Sequence, residues 1–162
     1  MKSIFIILLG FLFFACNSNS GNEAHLQNQI DSLQTKLLDM YKPELGELMT
    51  NIQAHHAKLW YAGHYQNWKL ADYEVKELHE IFDDIKKYNA DRKEVNLIGM
   101  IQGPLTQVSN SINNQNEKQF EDNFATLTKT CNACHMASKY EFNVVKIPEE
   151  QMFGNQDFRP AK

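Results

Sequence analysis

Apolar residues recur at alternating steps of four and three positions in several stretches of this chain. Such steps place the residues on one face of an α-helix, which has 3.6 residues per turn. The 162 residues include only seven Gly and four Pro, and the alternating runs that are typical of β-strands are scarce. We therefore expect an all-α fold. The pattern is clearest in two stretches, Ala71–Val75–Leu78–Phe82–Ile85 and Phe120–Phe124–Leu127–Cys131–Cys134.

Turn and capping residues divide the chain after residue 42 into four predicted helices with short connections. Short connections favour antiparallel neighbours, so we expect an antiparallel four-helix bundle. Residues 90–103 are expected to form a loop with a broken helical piece. The predicted helices are Pro43 to about Ala62, ended by Gly63; Asn67 to Asn89; one that carries Ile101, Leu105, Val108 and Ile112; and one that begins at Asn116, with Gln119 completing a capping box.

The N-terminus is typical of an exported protein. Residues 1–15, MKSIFIILLGFLFFA, combine one Lys, an apolar run from Ile4 to Phe14 and no acid, which predicts a signal peptide. The run is too short to span a bilayer, which takes about 20 residues. Ala15 and Cys16 resemble a bacterial lipoprotein cleavage site, so we expect a lipid on Cys16, the alternative being a free Cys16 after ordinary cleavage. The expected location is periplasmic or attached to the outer membrane, with the lipid as the only membrane contact.

The remaining segments outside the four helices have distinct compositions. Residues 16–42 are expected to form a lipidated tether and a stalk helix. An apolar stripe on that helix would serve either dimerisation or packing on its own bundle. Residues 43–148 form the predicted four-helix domain. The composition after residue 135 predicts a short extended strap within it. Residues 149–162 form the predicted C-terminal tail. The stripe consists of Leu26, Ile30, Leu33, Leu37 and Met40.

Charge and cysteine content exclude several classes of function. The formal net charge is −4, and removal of residues 1–15 takes away one Lys, which makes it −5. Nucleic-acid binding needs a basic face, so it is not expected. No general acid, nucleophile or pair of carboxylates stands out, so we do not expect an enzyme. Three cysteines, two of them only three positions apart, do not indicate a disulfide framework.

The stretch CNACH, residues 131–135, carries the predicted chemistry. In a c-type haem site two cysteine sulfurs bond to the haem and the adjacent histidine binds the iron, and C-x-x-C-H is the spacing that this requires. Cys131 and Cys134 would form the thioethers, and His135 would be the axial iron ligand. The alternatives are part of a four-ligand zinc site, a redox dithiol and two buried structural thiols.

Together with the signal peptide and the four helices, this motif resembles the cytochrome c prime family over residues 43–140. Lys139 matches a basic residue four positions after the haem-binding His. Met49, in ELGELMTNIQAHH, matches the residue over the distal haem face. The resemblance implies one covalent haem c, a possible distal iron ligand in Met49, and a haem pocket formed by Leu45, Leu48, Met49, Ile52 and Lys139.

Two positions depart from the family. Leu45 stands where a basic side chain is usual, and Ser138 stands where an aromatic residue usually precedes the proximal basic residue.

Three functions follow from these expectations. With His135 and Met49 both bound to iron, the protein would transfer electrons to a redox partner protein, for which Lys129, Lys139 and Lys146 could provide a docking surface. If Met49 only crowds the distal face, the protein would be a five-coordinate binder of small gases such as nitric oxide or carbon monoxide. The third possibility is a zinc-binding or structural lipoprotein domain.

Overall fold

A computed structural model describes residues 20–161, and throughout this range the chain is helical or irregular, with no strand. The all-α prediction is confirmed, and the arrangement is compatible with a helical bundle. The predicted signal peptide and the lipidation site at Cys16 lie outside the described residues. The helices are α1 (Ser20–Met40), α2 (Leu45–His64), α3 (Trp68–Tyr88), a 3₁₀ helix (Lys93–Leu97), α4 (Gly99–Asn113) and α5 (Glu117–Ala137).

The chain divides into two compact units between Lys42 and Pro43. Helix α1 belongs to the first unit, and the apolar stripe of the predicted stalk is exposed along its length. No helix between residues 20 and 161 is both long enough and apolar enough to cross a membrane.

The second unit has one apolar core, to which α2, α3, α4 and α5 all contribute. Helix α2 packs on α3, α3 on α4, α4 on α5, and α5 returns to α2. The periodic residues of the sequence point into this core, as their spacing predicts. Those that are no more than 2% exposed include Leu59, Ala71, Val75, Leu78, Ile85, Ile101, Leu105, Val108, Phe120, Phe124 and Leu127.

Two predicted helix caps are present. The Asn67 side chain accepts a hydrogen bond from the backbone N–H of Leu70 at the start of α3, and Asn116 does the same for Gln119 at the start of α5. Each bond satisfies one of the backbone donors that a helix leaves free at its first turn.

The predicted end of the first bundle helix is wrong. Helix α2 continues through Gly63 to His64, and the residue with a left-handed conformation is Gln66, at φ 57°. Gly63 serves a different purpose, because a Cβ built on it would lie 2.2 Å from ring carbons of Phe120. The glycine is needed where α2 and α5 approach closely, not where the helix ends.

Residues 90–103 are more ordered than the sequence indicates. The 3₁₀ helix is followed at once by α4, which begins at Gly99 and includes Pro104. The buried side chain of Ile98 anchors the junction between the two helices in the core.

The segment after α5 is irregular but remains part of the second unit. Phe158, in the predicted tail at residues 149–162, is 1% exposed and packs on Tyr61 and Phe153. The Tyr61 hydroxyl donates a hydrogen bond to the backbone carbonyl of Glu150, and the side chain of Asn67 donates one to that of Arg159. Residues 150–159 are therefore fastened to the helices.

Candidate functional site

A cavity of about 230 Å³ lies where the first turns of α2 meet the last turns of α5. The 3₁₀ region and the segment after α5 complete its wall. Its lining residues are Leu45, Gly46, Met49, Thr50, Gln53, Arg92, Glu94, Val95, Ile98, Cys134, His135, Ser138, Tyr140 and Asn143.

The CNACH motif occupies the C-terminal turns of α5. Cys134 is buried and lines the cavity with His135, whereas Cys131 is partly buried and packs against the apolar core without lining the cavity. Both cysteines are free thiols.

The two thiols are held in the neutral form. Burial, with a smaller effect of Cys134, raises the pKa of Cys131 to about 12. Burial also raises the pKa of Cys134, against a lowering by its hydrogen bond to Ser138. A redox dithiol works through a cysteine whose pKa is lowered, so this environment is unlike that of a redox dithiol.

The ring of His135 is oriented by the backbone. Its Nδ1 atom lies 2.7 Å from the carbonyl oxygen of Asn143. A carbonyl oxygen only accepts hydrogen bonds, so Nδ1 is the donor and carries the proton. In the neutral ring Nε2 is then left with a free lone pair, which is the form of imidazole that binds a metal ion.

The structure brings together some of the predicted pocket residues and separates others. Leu45 and Met49, from the first turns of α2, line the cavity with the motif residues. Leu48 and Ile52 are buried in the core and do not line it. Lys139 is exposed, has a left-handed conformation with φ 65°, and is also outside the lining.

A polar group at the cavity was not predicted. Arg92 lies 3.2 Å from the carboxylate of Glu94 and 3.4 Å from the hydroxyl of Tyr140, which in turn lies 3.4 Å from Glu94. These contacts join the 3₁₀ region to the segment after α5. Single charged residues in a predicted loop are ordinary, so the sequence contained no signal for this group.

The paired histidines of α2 make hydrogen bonds away from the cavity lining. His56 is buried and bonds through Nε2 to Thr128 Oγ1 at 2.9 Å. His55 bonds through Nδ1 to the buried carboxylate of Glu74 at 2.7 Å. Glu74 is thus a buried acid with a partner, as burial of a charged group requires.

Metal-ligating side chains cluster elsewhere. Within residues 20–161, the one group of three or more such residues whose ligand atoms lie within 4.8 Å of one another is His64, Glu117 and Glu121. The cysteine pair is not part of this group, so a zinc site there would need ligands that the described structure does not bring to it.

Comparison of the chain with models of protein families, with curated protein sequences and with solved structures gave no match.

Proposed function

We propose that this chain is an exported c-type cytochrome that carries one covalent haem c and transfers electrons. The observation that carries the proposal is the composition of one cavity. Cys134 and His135 from the end of α5 line the same cavity as Leu45 and Met49 from the start of α2. The motif assigns Cys134 to a haem thioether and His135 to the iron, and Leu45 and Met49 are predicted to belong to the haem pocket.

The chemistry of these side chains fits that group. Cys131 and Cys134 are free thiols three positions apart on one helix, which is the spacing of the two thioethers in C-x-x-C-H. Cys134 lines the cavity, whereas Cys131 lies beside it against the core. His135 has a lone pair on Nε2 and would be the axial ligand. When bound, haem c supplies a one-electron iron couple, whose reduction potential a methionine ligand opposite histidine raises.

The fold proposed for this function is the antiparallel four-helix bundle of the cytochrome c prime family, with α1 as a stalk. It is supported by the packing of α2 on α3, of α3 on α4, of α4 on α5 and of α5 on α2. The connections at 65–67 and 114–116 are three residues long, which suits antiparallel neighbours.

Met49 determines which of two activities follows. Its thioether is the only sulfur besides Cys134 on the described cavity wall. As an iron ligand it would complete six-coordination and favour electron transfer. If it only crowds the site, the protein would bind a small gas such as nitric oxide or carbon monoxide. The thioether sulfur is the observation that favours electron transfer.

The proposed cellular setting depends on the N-terminus. The protein would be exported by its signal peptide and held at the periplasmic side, or on the outer membrane, by a lipid on Cys16. The exposed side chains of Lys129, Lys139 and Lys146 would contact an acidic redox partner. The exposed stripe of α1 would join two copies in a homodimer.

Expression with haem-maturation machinery tests the proposal. The expected protein is coloured, keeps its Soret absorption after acid–acetone extraction, and has the mass of the polypeptide plus one haem. Cys131→Ala with Cys134→Ala should abolish covalent attachment, whereas Cys16→Ser should remove only the lipid. Colourless protein with the mass of the bare chain would overturn the proposal, and zinc in that protein would favour the zinc alternative.

A further inference from the structure

The segment that follows α5 is attached to the CNACH motif itself. The side chain of Asn132, the first residue between the two cysteines, bonds to the backbone of Val145 in both directions. Its Nδ2 donates to the Val145 carbonyl at 2.8 Å, and its Oδ1 accepts from the Val145 N–H at 2.8 Å. His135, at the end of the motif, donates to the carbonyl of Asn143.

The carboxamide of Asn132 matches a peptide backbone because it offers one donor and one acceptor side by side. Val145 is in an irregular segment, so its backbone groups have no partner in a helix or strand. Two bonds to one residue fix both its distance from α5 and its direction.

The chain between these contacts is also held. The N–H of Tyr140 donates to the carbonyl of His135 at 2.8 Å, and the N–H of Asn143 donates to that of Tyr140 at 2.9 Å. The segment therefore folds back over the end of α5 in hydrogen-bonded turns. Asn143, two residues before Val145, is placed with its carbonyl oxygen against the ring of His135.

We infer that Asn132 is a positioning residue for His135. By holding Val145, it keeps the Asn143 carbonyl at Nδ1, which selects the tautomer with a proton on Nδ1 and a lone pair on Nε2. The role toward iron rests on the proposed function, whereas the choice of tautomer does not. If His135 binds iron, the same hydrogen bond makes the imidazole a stronger donor, which stabilises the oxidised state and lowers the reduction potential.

The first test needs no haem. In the Cys131→Ala, Cys134→Ala chain, long-range ¹H–¹⁵N NMR at a pH at which histidines are neutral reports which nitrogen of His135 is protonated. Nδ1 is expected to have the protonated shift. Asn132→Leu, introduced into the same chain, keeps the size of the side chain but removes both of its hydrogen bonds. It should shift the population of His135 toward the Nε2–H tautomer.

Two further variants separate positioning from general damage to the fold. Val145→Pro removes the backbone N–H that donates a hydrogen bond to Asn132 and leaves the motif intact. It should shift the tautomer population of His135 in the same direction. Asn123→Leu is the matched control, because Asn123 is also on α5 and its side chain also bonds a backbone carbonyl, that of Gln107. It should leave the His135 shifts unchanged.

The second test uses the haem-loaded protein. Asn132→Leu and Val145→Pro should raise the midpoint potential, and Asn123→Leu should not. A parent chain with the proton on Nε2, or variants that keep Nδ1–H, would overturn the inference. Should no covalent haem form, the proposed function fails, and the NMR comparison still decides the role of Asn132.

Discussion

The Nε2 atom of His56 on α2 lies 2.9 Å from Oγ1 of Thr128 on α5, and this bond joins residues 72 positions apart in the core. The hydroxyl of Thr128 donates its own proton to the Phe124 carbonyl, so it accepts from His56. The ring also packs on Phe124, with centroids 4.4 Å apart. The proton is thus on Nε2, and burial lowers the pKa of His56 to about 4, which keeps the ring neutral at pH 7.

Acid should therefore destabilise the fold through His56. In the unfolded chain this histidine takes up a proton near pH 6.5, but in the folded chain only near pH 4. Its contribution to stability is full above pH 6.5 and is lost as the pH falls toward 4, by about 3 kcal/mol in the free energy of unfolding. Urea titrations at neutral and acid pH measure the loss. His56→Gln keeps an N–H donor but cannot titrate, and an equal loss in that variant would contradict the assignment.

Gly63→Ala should destabilise the second unit by about 1–3 kcal/mol, because the new methyl group would overlap the buried ring of Phe120. The matched control is Gly99→Ala, at the first residue of α4, where a Cβ would meet no atom within 4 Å. The control should be neutral or slightly stabilising. Thermal or urea unfolding measures the stability of both variants. Equal free energies of unfolding would show that the close approach of Gly63 to Phe120 does not require a glycine.

Phe158→Ala should cost about 3–5 kcal/mol in the free energy of unfolding, since it empties a buried aromatic site. Phe142→Ala, in the same irregular segment but 79% exposed, should change stability by no more than about 0.5 kcal/mol. If the two variants unfold alike, residues 149–161 behave as a loose tail and the packing of Phe158 is not part of the native fold in solution.

Met49→Ala tests the choice between electron transfer and gas binding. With Met49 as a ligand, the reduced wild-type protein should not bind carbon monoxide readily, and the variant should bind it and show a lower midpoint potential. Leu45→Ala alters the same cavity without removing a ligand atom and should behave as wild type. Prompt carbon monoxide binding by the wild type, with a spectrum that Met49→Ala does not change, would favour the gas-binding alternative.

Local sequence signals predicted much of the fold. The helical spacing of apolar residues predicted α2, α3, α4 and α5. Asn67 and Asn116 predicted where α3 and α5 begin. These features depend on residues within a few positions of one another. The family resemblance predicted that Met49 would lie near the motif, and Met49 lines the same cavity as Cys134 and His135.

What the sequence did not predict depends on contacts between distant segments. Nothing near Gly63 indicates that a ring 57 positions later will pack on it. Phe158 stands among Asp, Arg and Pro, a composition typical of an exposed tail, yet it is buried against Tyr61 and Phe153. The hydrogen bonds from Asn132 and His135 to the irregular segment leave no pattern in the sequence. Their partners are backbone groups, which every residue type other than proline supplies.

The 7% exposure of Cys134 has a consequence for the order of events in biogenesis. Although Cys134 lines the cavity, its thiol should be easier to reach while α5 is still detached or locally opened than in the closed fold. If haem is attached to this cysteine as proposed, loading should be fastest before the helices close, and chains that folded first would have to open locally before they could be loaded.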